Sequence, residues 1–219
     1  MAEARRSGLR PRELYATPAG LTRIDPLLYE GDGIPIYRIA DRVYARLSEL
    51  ETPSGVLGIF SLTERTIDDL LASEGIVLLL AGVSDPGNAG TLVRSAEAFG
   101  AAGVVFGRGG VDPFAPKVVR AAMGSLFRVP IATADAESLL TAAQASHRPV
   151  VATDLDGEDL RSARIPARAI LAVGNEKRGV RDWLPRWDLA VRIAQLGSAE
   201  SLNAAVAGSI VLYESARVK

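Results

Sequence analysis

Residues 75–107 read GIVLLLAGVSDPGNAGTLVRSAEAFGAAGVVFG. Residues 75–83 and 103–107 are apolar runs that lack the polar alternation of a half-exposed strand, so we predict two strands buried on both faces. Between them, residues 88–100 carry apolar side chains at helical spacing. A strand, a helix and a second strand in this order form the unit from which helix-covered parallel sheets are built.

The same alternation continues to the carboxyl terminus. Apolar runs predict further strands, and amphipathic patterns predict helices between them. The fold class that follows is α/β, a mainly parallel sheet with helices on both faces. The predicted strands are residues 128–132, 148–155, 168–176 and 189–193, and the predicted helices are residues 114–127, residues 136–147 and a last helix from about Ser201.

The amino-terminal part of the chain shows shorter elements. Short apolar segments alternate there with amphipathic stretches, which predicts a small α/β module over residues 1–62. Residues 63–74 are predicted as a linker that ends in a short helix, and residues 75–219 as the main domain. The apolar segments are residues 13–17, 34–39 and 56–60, and the amphipathic stretches are residues 20–29 and 40–50.

Composition excludes several kinds of chemistry. The chain has no cysteine, so a disulfide framework, a thiolate zinc site and a cysteine nucleophile are excluded. It has one histidine, and its carboxylates show no calcium-loop spacing, so we predict no metal site. The longest apolar run, at residues 76–83, is far shorter than a membrane span, and the amino terminus lacks the apolar core of a signal peptide. We therefore expect a cytoplasmic protein without a membrane partner.

The first of three polar clusters, SDPGNAGTLVRSAEAFG at residues 84–100, lies where a strand gives way to a helix. Asp85 and Pro86 favour a turn, and Asn88 is predicted as the N-cap of the helix. Arg94 follows six residues later, roughly 9 Å along the helix axis. A capped helix with one surface arginine would explain this cluster equally well when it is considered alone.

The second cluster, LAVGNEKRGV at residues 171–180, and the third, IAQLGSAESLNAAVAG at residues 193–208, also follow strands. Glycines in the second cluster permit the close approach of another group, although an ordinary polar turn is the alternative. In the third cluster, Ser201 and Asn203 flank the start of a helix, and a cap explains one of them but not both. Because the carboxyl ends of parallel strands share one edge of a sheet, the three clusters predict one shared ligand site.

In this order, the three clusters resemble the three sequence motifs of the SpoU/TrmH class of RNA 2′-O-ribose methyltransferases, a branch of the SPOUT superfamily. The resemblance covers about residues 75–219. It departs at Ala194 and Gln195, where the family usually has Pro and Met, and at Ala122, where a serine is common. The matching residues are Asp85, Pro86, Asn88, Gly90, Arg94, Ala96, Phe99 and Gly100 in the first motif, Gly174, Asn175, Glu176, Arg178 and Gly179 in the second, and Ser201, Leu202, Asn203 and Ala207 in the third.

The resemblance implies a SPOUT α/β-knot fold, in which the carboxyl-terminal segment forms a deep trefoil knot, although general topology rules count against knots. It implies that S-adenosylmethionine is the cofactor, bound in a bent shape, that S-adenosylhomocysteine is the product, and that no metal takes part. It also implies a homodimer in which each site borrows part of the partner's surface. Residues 1–62 are similar to a shortened L30e-like RNA-binding domain.

Individual residue roles are also implied by the resemblance. Arg94 acts on the ribose hydroxyl: because its guanidinium stays protonated, it stabilises a developing alkoxide or steers an RNA phosphate that accepts the proton. Asn88 orients the ribose. Glu176 and Ser201 fix the loop geometry, and Asn203 holds the first and third motifs together. Cofactor contacts are assigned to Thr153, Gly174, Asn175, Ile193, Leu196 and Leu202.

Local basic residues are the predicted RNA contacts, since a net charge of −1 gives no general attraction to phosphates. A solvated surface explains each of these residues equally well. The candidates are Arg5 and Arg6 in the amino-terminal arm, and Lys117, Arg120, Arg128 and Arg178 in the main domain.

The predicted function is S-adenosylmethionine-dependent 2′-O-ribose methylation of a structured RNA. The L30e-like module favours 23S ribosomal RNA as the acceptor, and transfer RNA is the alternative within the same class. Two further alternatives are a ribosome assembly factor that binds RNA with weak or lost activity, and methylation of a base nitrogen by another SPOUT branch.

Overall fold

The chain divides into two compact units, residues 1–63 and residues 64–219. The predicted amphipathic stretches 20–29 and 40–50 lie partly outside the residues that the structure describes. This structure is a computed structural model, and it describes residues 2–24, 33–48, 54–61, 64–198 and 201–217.

The first unit is built on three strands, β1 (Pro11–Ala16), β2 (Ile36–Arg38) and β3 (Val56–Phe60). They lie in the order β2-β1-β3, with β1 parallel to β2 and antiparallel to β3. The helices described in this unit are α1 (Ala2–Arg6), α2 (Pro18–Leu21) and α3 (Asp41–Leu47). Its likeness to an L30e-like domain stays a prediction.

The second unit contains one six-stranded sheet in which all neighbouring strands are parallel. No helix in the described part of the chain has the length and apolar character needed to cross a bilayer. The strands are β4 (Val77–Ala81), β5 (Gly103–Gly107), β6 (Ile131–Ala134), β7 (Val150–Asp159), β8 (Ile170–Gly174) and β9 (Leu189–Arg192), in the order β6-β5-β4-β8-β7-β9. The helices are α4 (Ile67–Ala72), α5 (Pro86–Ala98), α6 (Pro116–Ala121), α7 (Ala136–Ala145) and α8 (Ala204–Arg217).

Helices cover both faces of this sheet, as the alternation of side chains along β4 shows. Leu78 and Leu80 point into a core shared with α5 and α8, whereas Leu79 points into a core shared with α4 and α7. All three side chains are almost completely buried. The predicted α/β class, a mainly parallel sheet with helices on both faces, is confirmed. The trefoil knot stays a prediction of the family resemblance.

The start of α5 differs from the sequence prediction. Asp85 is the N-cap, because its carboxylate accepts a hydrogen bond from the backbone N of Asn88 at 2.7 Å. Pro86 follows at the first helical position, where its lack of an N–H costs nothing. Asn88 therefore lies inside the first turn, and its prediction as the N-cap was wrong. Its side chain is free to make the longer-range contacts described below.

The predicted helix at residues 114–127 consists of two shorter elements. α6 ends at Ala121, and a 3₁₀ turn covers Ser125–Phe127. Between them, Met123 and Gly124 adopt left-handed φ angles of 49° and 93°, which end a right-handed helix. The last helix, predicted from about Ser201, begins at Ala204.

Residues 63–74, predicted as a linker, belong almost entirely to the second unit, which begins at Glu64. The short helix expected there is α4, and it begins with a capping box formed by Thr66 and Asp69. Leu70 and Leu71 are 2% and 1% exposed and pack in the same core as β4. This segment is therefore part of the main domain and not a spacer.

Candidate active site at the carboxyl ends of the strands

A cavity of about 280 Å³ opens beside the ends of β8 and β9, the middle of β7 and the start of α8. Residues of the second and third polar clusters line it, although they are far apart in the sequence. Val173, Val191 and Leu202 supply apolar parts of its wall. Apolar walls with a few placed polar groups are typical of small-molecule sites.

The loop after β8 turns back directly over Gly174. Asn175 N donates to Gly179 O at 3.2 Å, and Gly179 N donates to Asn175 O at 2.9 Å. A Cβ atom added at Gly174 would lie 2.2 Å from Gly179 C and from Val180 N. The close approach predicted for this glycine is therefore the approach of the loop's own backbone.

The side chain of Asn175 is fully engaged in holding two loops together. Its Nδ2 donates to Gly82 O at 3.0 Å and to Ser84 Oγ at 3.2 Å. Its Oδ1 accepts from the backbone N of Lys177 at 3.0 Å and of Arg178 at 3.2 Å. The side-chain amide of Asn175 therefore has no further donor to offer to a bound molecule.

The carboxylate of Glu176 sits at the amino terminus of α5. Its Oε2 accepts from Ser84 N at 3.3 Å and Ser84 Oγ at 3.1 Å, and its Oε1 accepts from Asp85 N at 3.2 Å and Asn88 Nδ2 at 2.9 Å. Burial alone would raise the pKa of Glu176, but the hydrogen bonds from Asn88 and the backbone outweigh it and hold the pKa below its ordinary value. Glu176 is thus charged at neutral pH, which the dipole of α5 also favours.

Asn88 connects Glu176 to the third loop through a chain of hydrogen bonds with a fixed direction. A carboxylate only accepts, so the Asn88 atom that faces Glu176 must be the Nδ2 donor. Asn88 Oδ1 then accepts from Asn203 Nδ2 at 2.9 Å. This leaves Asn203 Oδ1 to accept from the backbone N of Ala205 at 2.9 Å and of Val206 at 3.2 Å, which caps α8. All three motifs are joined by this chain.

Replacing Asn203 with alanine is expected to lower the free energy of unfolding by about 1–2 kcal/mol, because α8 loses its cap and Asn88 Oδ1 loses its donor. Urea unfolding of the variant and the wild type would measure the loss. Asn203→Ser is the matched control, since its hydroxyl keeps an acceptor for α8 but is too short to donate to Asn88, and a smaller loss is expected. An alanine variant as stable as the wild type would contradict this account.

Arg94 lies apart from the cavity of its own chain. One turn earlier, Gly90 packs so closely against α6 that a Cβ atom there would lie 2.4 Å from Ala121 Cβ. The spacing of four residues places Arg94 on this same α6-facing side of α5, whereas Ser95 faces α8 through a hydrogen bond to Ser209 at 2.6 Å. Among the described residues, the exposed Arg94 side chain forms no hydrogen bond or ion pair.

The other predicted phosphate contacts are mostly engaged within the chain. Arg5 and Arg120 have interaction partners of their own. Lys117, in the first turn of α6, is exposed and has no hydrogen bond or ion pair with any residue that the structure describes. Three arginines pair with carboxylates: Arg6 with Glu3 at 2.7 Å, Arg178 with Asp182 at 3.2 Å, and Arg128 with Glu97.

Comparison with known proteins identifies the family of this chain. The family model described as "SpoU rRNA Methylase family" matches residues 75–213, which include the cavity and the hydrogen-bonded motifs. The chain belongs to the SpoU rRNA methylase family. The resemblance to the SpoU/TrmH class is thereby confirmed, and the chain is an RNA methyltransferase.

Individual relatives of this SpoU-family chain resemble it over most of its length. The 23S rRNA (guanosine(2553)-2′-O)-methyltransferase RlmP of Bacillus subtilis (strain 168) is 35% identical over 83% of this chain and 72% of its own. The AdoMet-bound rRNA methyltransferase of Sinorhizobium meliloti has a TM-score of 0.82 and 31% identity, covering 99% of this chain and 84% of that one. The methyltransferase AviRb of Streptomyces viridochromogenes, in complex with AdoMet, has a TM-score of 0.84 and 28% identity, covering 99% and 86%.

Most residues that the motifs single out meet at the cavity of this SpoU-family chain. Glu176 and Ser201 line it, and Asn88 and Asn203 are joined to Glu176 by the hydrogen-bond chain. Leu196 does not line it and is 96% exposed beside a different cavity. The predicted cofactor residues that do line it are Thr153, Gly174, Asn175, Ile193 and Leu202.

Four polar lining residues were missed by the sequence analysis. Asp154 lies in β7 and accepts hydrogen bonds from Arg181 at 3.0 and 3.1 Å, and Lys177 lies in the loop after β8. Arg192 is the last residue of β9, and Gln195 follows this strand. Only Gln195 carried a signal in the sequence, because it stands where the family usually has an apolar methionine.

Proposed function

We propose that this chain transfers a methyl group from S-adenosylmethionine to a ribose 2′-hydroxyl of a structured RNA, with 23S ribosomal RNA as the substrate. The observation that carries the proposal is the hydrogen-bond chain from Glu176 through Asn88 to Asn203, which joins the three motifs beside one cavity. The names of the relatives support it: the Bacillus subtilis relative is a 23S rRNA 2′-O-methyltransferase, and both similar structures hold AdoMet.

The residues that line the cavity suit S-adenosylmethionine. Val173, Val191 and Leu202 offer apolar surface to a flat ring, and Gly174 lies in the same lining. When bound, S-adenosylmethionine supplies an electrophilic methyl group on a positively charged sulfur. The chain itself contributes position, because methyl transfer requires the ribose oxygen, the methyl carbon and the sulfur to be nearly collinear.

Arg94 is the residue that we assign to the ribose hydroxyl. Its guanidinium stays protonated, so it stabilises the developing alkoxide or holds an RNA phosphate that accepts the proton. Because Arg94 lies on the α6-facing side of α5 and does not line the cavity of its own chain, we infer a homodimer in which it serves the partner's cavity. The absence of an intrachain partner for Arg94 among the described residues leaves it available for that role.

Ribosomal RNA is favoured over transfer RNA because the likeness to two enzymes, one named an rRNA methyltransferase, spans 99% of the chain, the first unit included. We propose that the first unit is an L30e-like module that binds RNA, with Arg5 and Arg6 as candidate contacts. Phosphate contacts of this kind set register and orientation on the RNA, whereas base or shape contacts select the site.

The test incubates the protein with labelled S-adenosylmethionine and unmodified 23S ribosomal RNA or transfer RNA, then maps 2′-O-methyl positions by their resistance to alkaline cleavage. Label in one ribose of 23S ribosomal RNA is expected. Label only in transfer RNA would change the substrate class, and label that stays on a base would contradict ribose methylation. Cofactor and RNA binding without any label would favour an assembly factor.

Replacing Lys117 with alanine is expected to weaken RNA binding about equally for all sequences and to reduce the slope of log K against log salt by about one. Lys117 is the candidate whose charge no described residue neutralises. Binding measured between low and moderate salt would give the slope. Arg168→Ala is the control. Arg168 pairs with Glu74 at 3.5 Å just before β8 begins, at the amino-terminal ends of the strands and away from the cavity. Equal slopes for Lys117→Ala and the wild type would exclude a phosphate contact.

A further inference from the structure

One polar atom in the cavity has no partner. The side-chain oxygen Oε1 of Gln195 is shielded from solvent, yet it accepts no hydrogen bond from any residue that the structure describes. Gln195 belongs to the lining of the cavity beside β8 and β9. Buried acceptors without a donor are rare in folded proteins, because each costs the free energy of its lost hydration.

The other polar groups of the cavity show that this atom is an exception. Both oxygens of Glu176 accept hydrogen bonds, and both ends of the Asn175 amide are engaged. Asp154 is held by Arg181. A molecule that enters the cavity would supply the missing donor for Gln195 Oε1.

The chemistry of an amide selects among the donors that S-adenosylmethionine offers. The α-ammonium carries a full charge, and burying it against a neutral acceptor with no counter-charge costs free energy. The adenine ring instead presents a neutral N6 amino donor next to a ring-nitrogen acceptor. A glutamine amide has the complementary pair, with Oε1 accepting from N6 and Nε2 donating to N7, as in the recognition of adenine in nucleic acids.

We propose that Gln195 reads the edge of the cofactor's adenine, with Oε1 accepting a hydrogen bond from the N6 amino group. This inference rests on the proposed use of S-adenosylmethionine and adds a specificity residue at the position where the family usually has a methionine. A methionine there can pack against the ring but cannot accept such a hydrogen bond with comparable strength.

The experiment measures the dissociation constants of S-adenosylhomocysteine and S-inosylhomocysteine by isothermal titration calorimetry. The second compound carries a carbonyl oxygen in place of the N6 amino group, so it turns the donor into an acceptor. The wild type and Gln195→Met are compared, with Gln144→Met as the matched control because Gln144 lies on α7 outside this cavity. Thermal unfolding of each variant shows whether it is folded.

In the wild type, S-adenosylhomocysteine is expected to bind more tightly than the inosine compound. Gln195→Met is expected to reduce this preference roughly tenfold, by weakening the adenine compound and not the inosine compound. Gln144→Met should keep the full preference. Equal weakening of both ligands in Gln195→Met, or no change in either, would overturn the role of Gln195 while leaving the proposed cofactor intact. A folded wild type that binds neither compound would overturn both.

Discussion

Replacing Arg94 with alanine is expected to lower the single-turnover rate of RNA methylation by about 10²–10³-fold, with the binding of S-adenosylmethionine unchanged. Removing one hydrogen-bond donor to a developing oxyanion typically lowers the rate of an enzyme by this factor. Binding of the cofactor is expected to survive because Arg94 is assigned to the ribose hydroxyl of the RNA and not to S-adenosylmethionine. Single-turnover methylation and calorimetric titration of the cofactor would measure the two quantities separately.

Two companion variants separate the Arg94 guanidinium from a general loss of charge. Arg94→Lys keeps the charge but loses the planar set of donors, so an intermediate rate is expected. Arg168→Ala removes one positive charge at the amino-terminal ends of the strands, and a near-normal rate of methylation is expected. If Arg94→Ala methylates RNA at a near-normal rate while binding it as well as the wild type does, the assignment is wrong.

The strands of the main domain were predictable from local sequence, whereas their order was not. β4 is apolar throughout because helices cover both faces of the sheet, and this requirement leaves a visible run in the sequence. Its two neighbours are β5, which follows soon after, and β8, which follows much later. No pattern within a single strand specifies that second pairing. The division of the predicted helix 114–127 into two elements could also not be predicted, because a methionine such as Met123 does not usually adopt a left-handed conformation.

The location of the site was predictable from its motifs, but the role of each residue within it was not. Asp85 and Asn88 are both good capping residues. Pro86 at the first helical position favours Asp85 as the cap of α5, and the carboxylate of the distant Glu176 takes the Asn88 donor. The same contact turns Asn88 toward Asn203 and makes it a positioning residue. Such choices depend on groups that folding brings together from three loops, and a linear pattern does not contain them.

Replacing Gly174 with alanine is expected to lower the free energy of unfolding by about 2–3 kcal/mol and to abolish measurable cofactor binding. The added Cβ atom would meet Gly179 C and Val180 N at 2.2 Å, and backbone atoms cannot move aside as a flexible side chain does. The loop over Gly174 would have to shift, taking Glu176 away from α5. Urea unfolding and calorimetric titration would give both results. Gly197→Ala is the matched control, because no atom of the described residues, apart from its chain neighbours, lies within 4 Å of a Cβ there.

A binding-deficient chain also tests whether Arg94 serves the partner's cavity. Mixed with Arg94→Ala, it would form heterodimers in which the intact cavity of one chain receives Arg94 from the other, so activity absent from either variant alone is expected to return. Leu202→Trp, which fills the cavity from its wall, serves as a second binding-deficient chain if Gly174→Ala does not fold. Mixtures that stay inactive with a folded partner would show that Arg94 is not shared between subunits, because a site complete within one chain gains nothing from exchange.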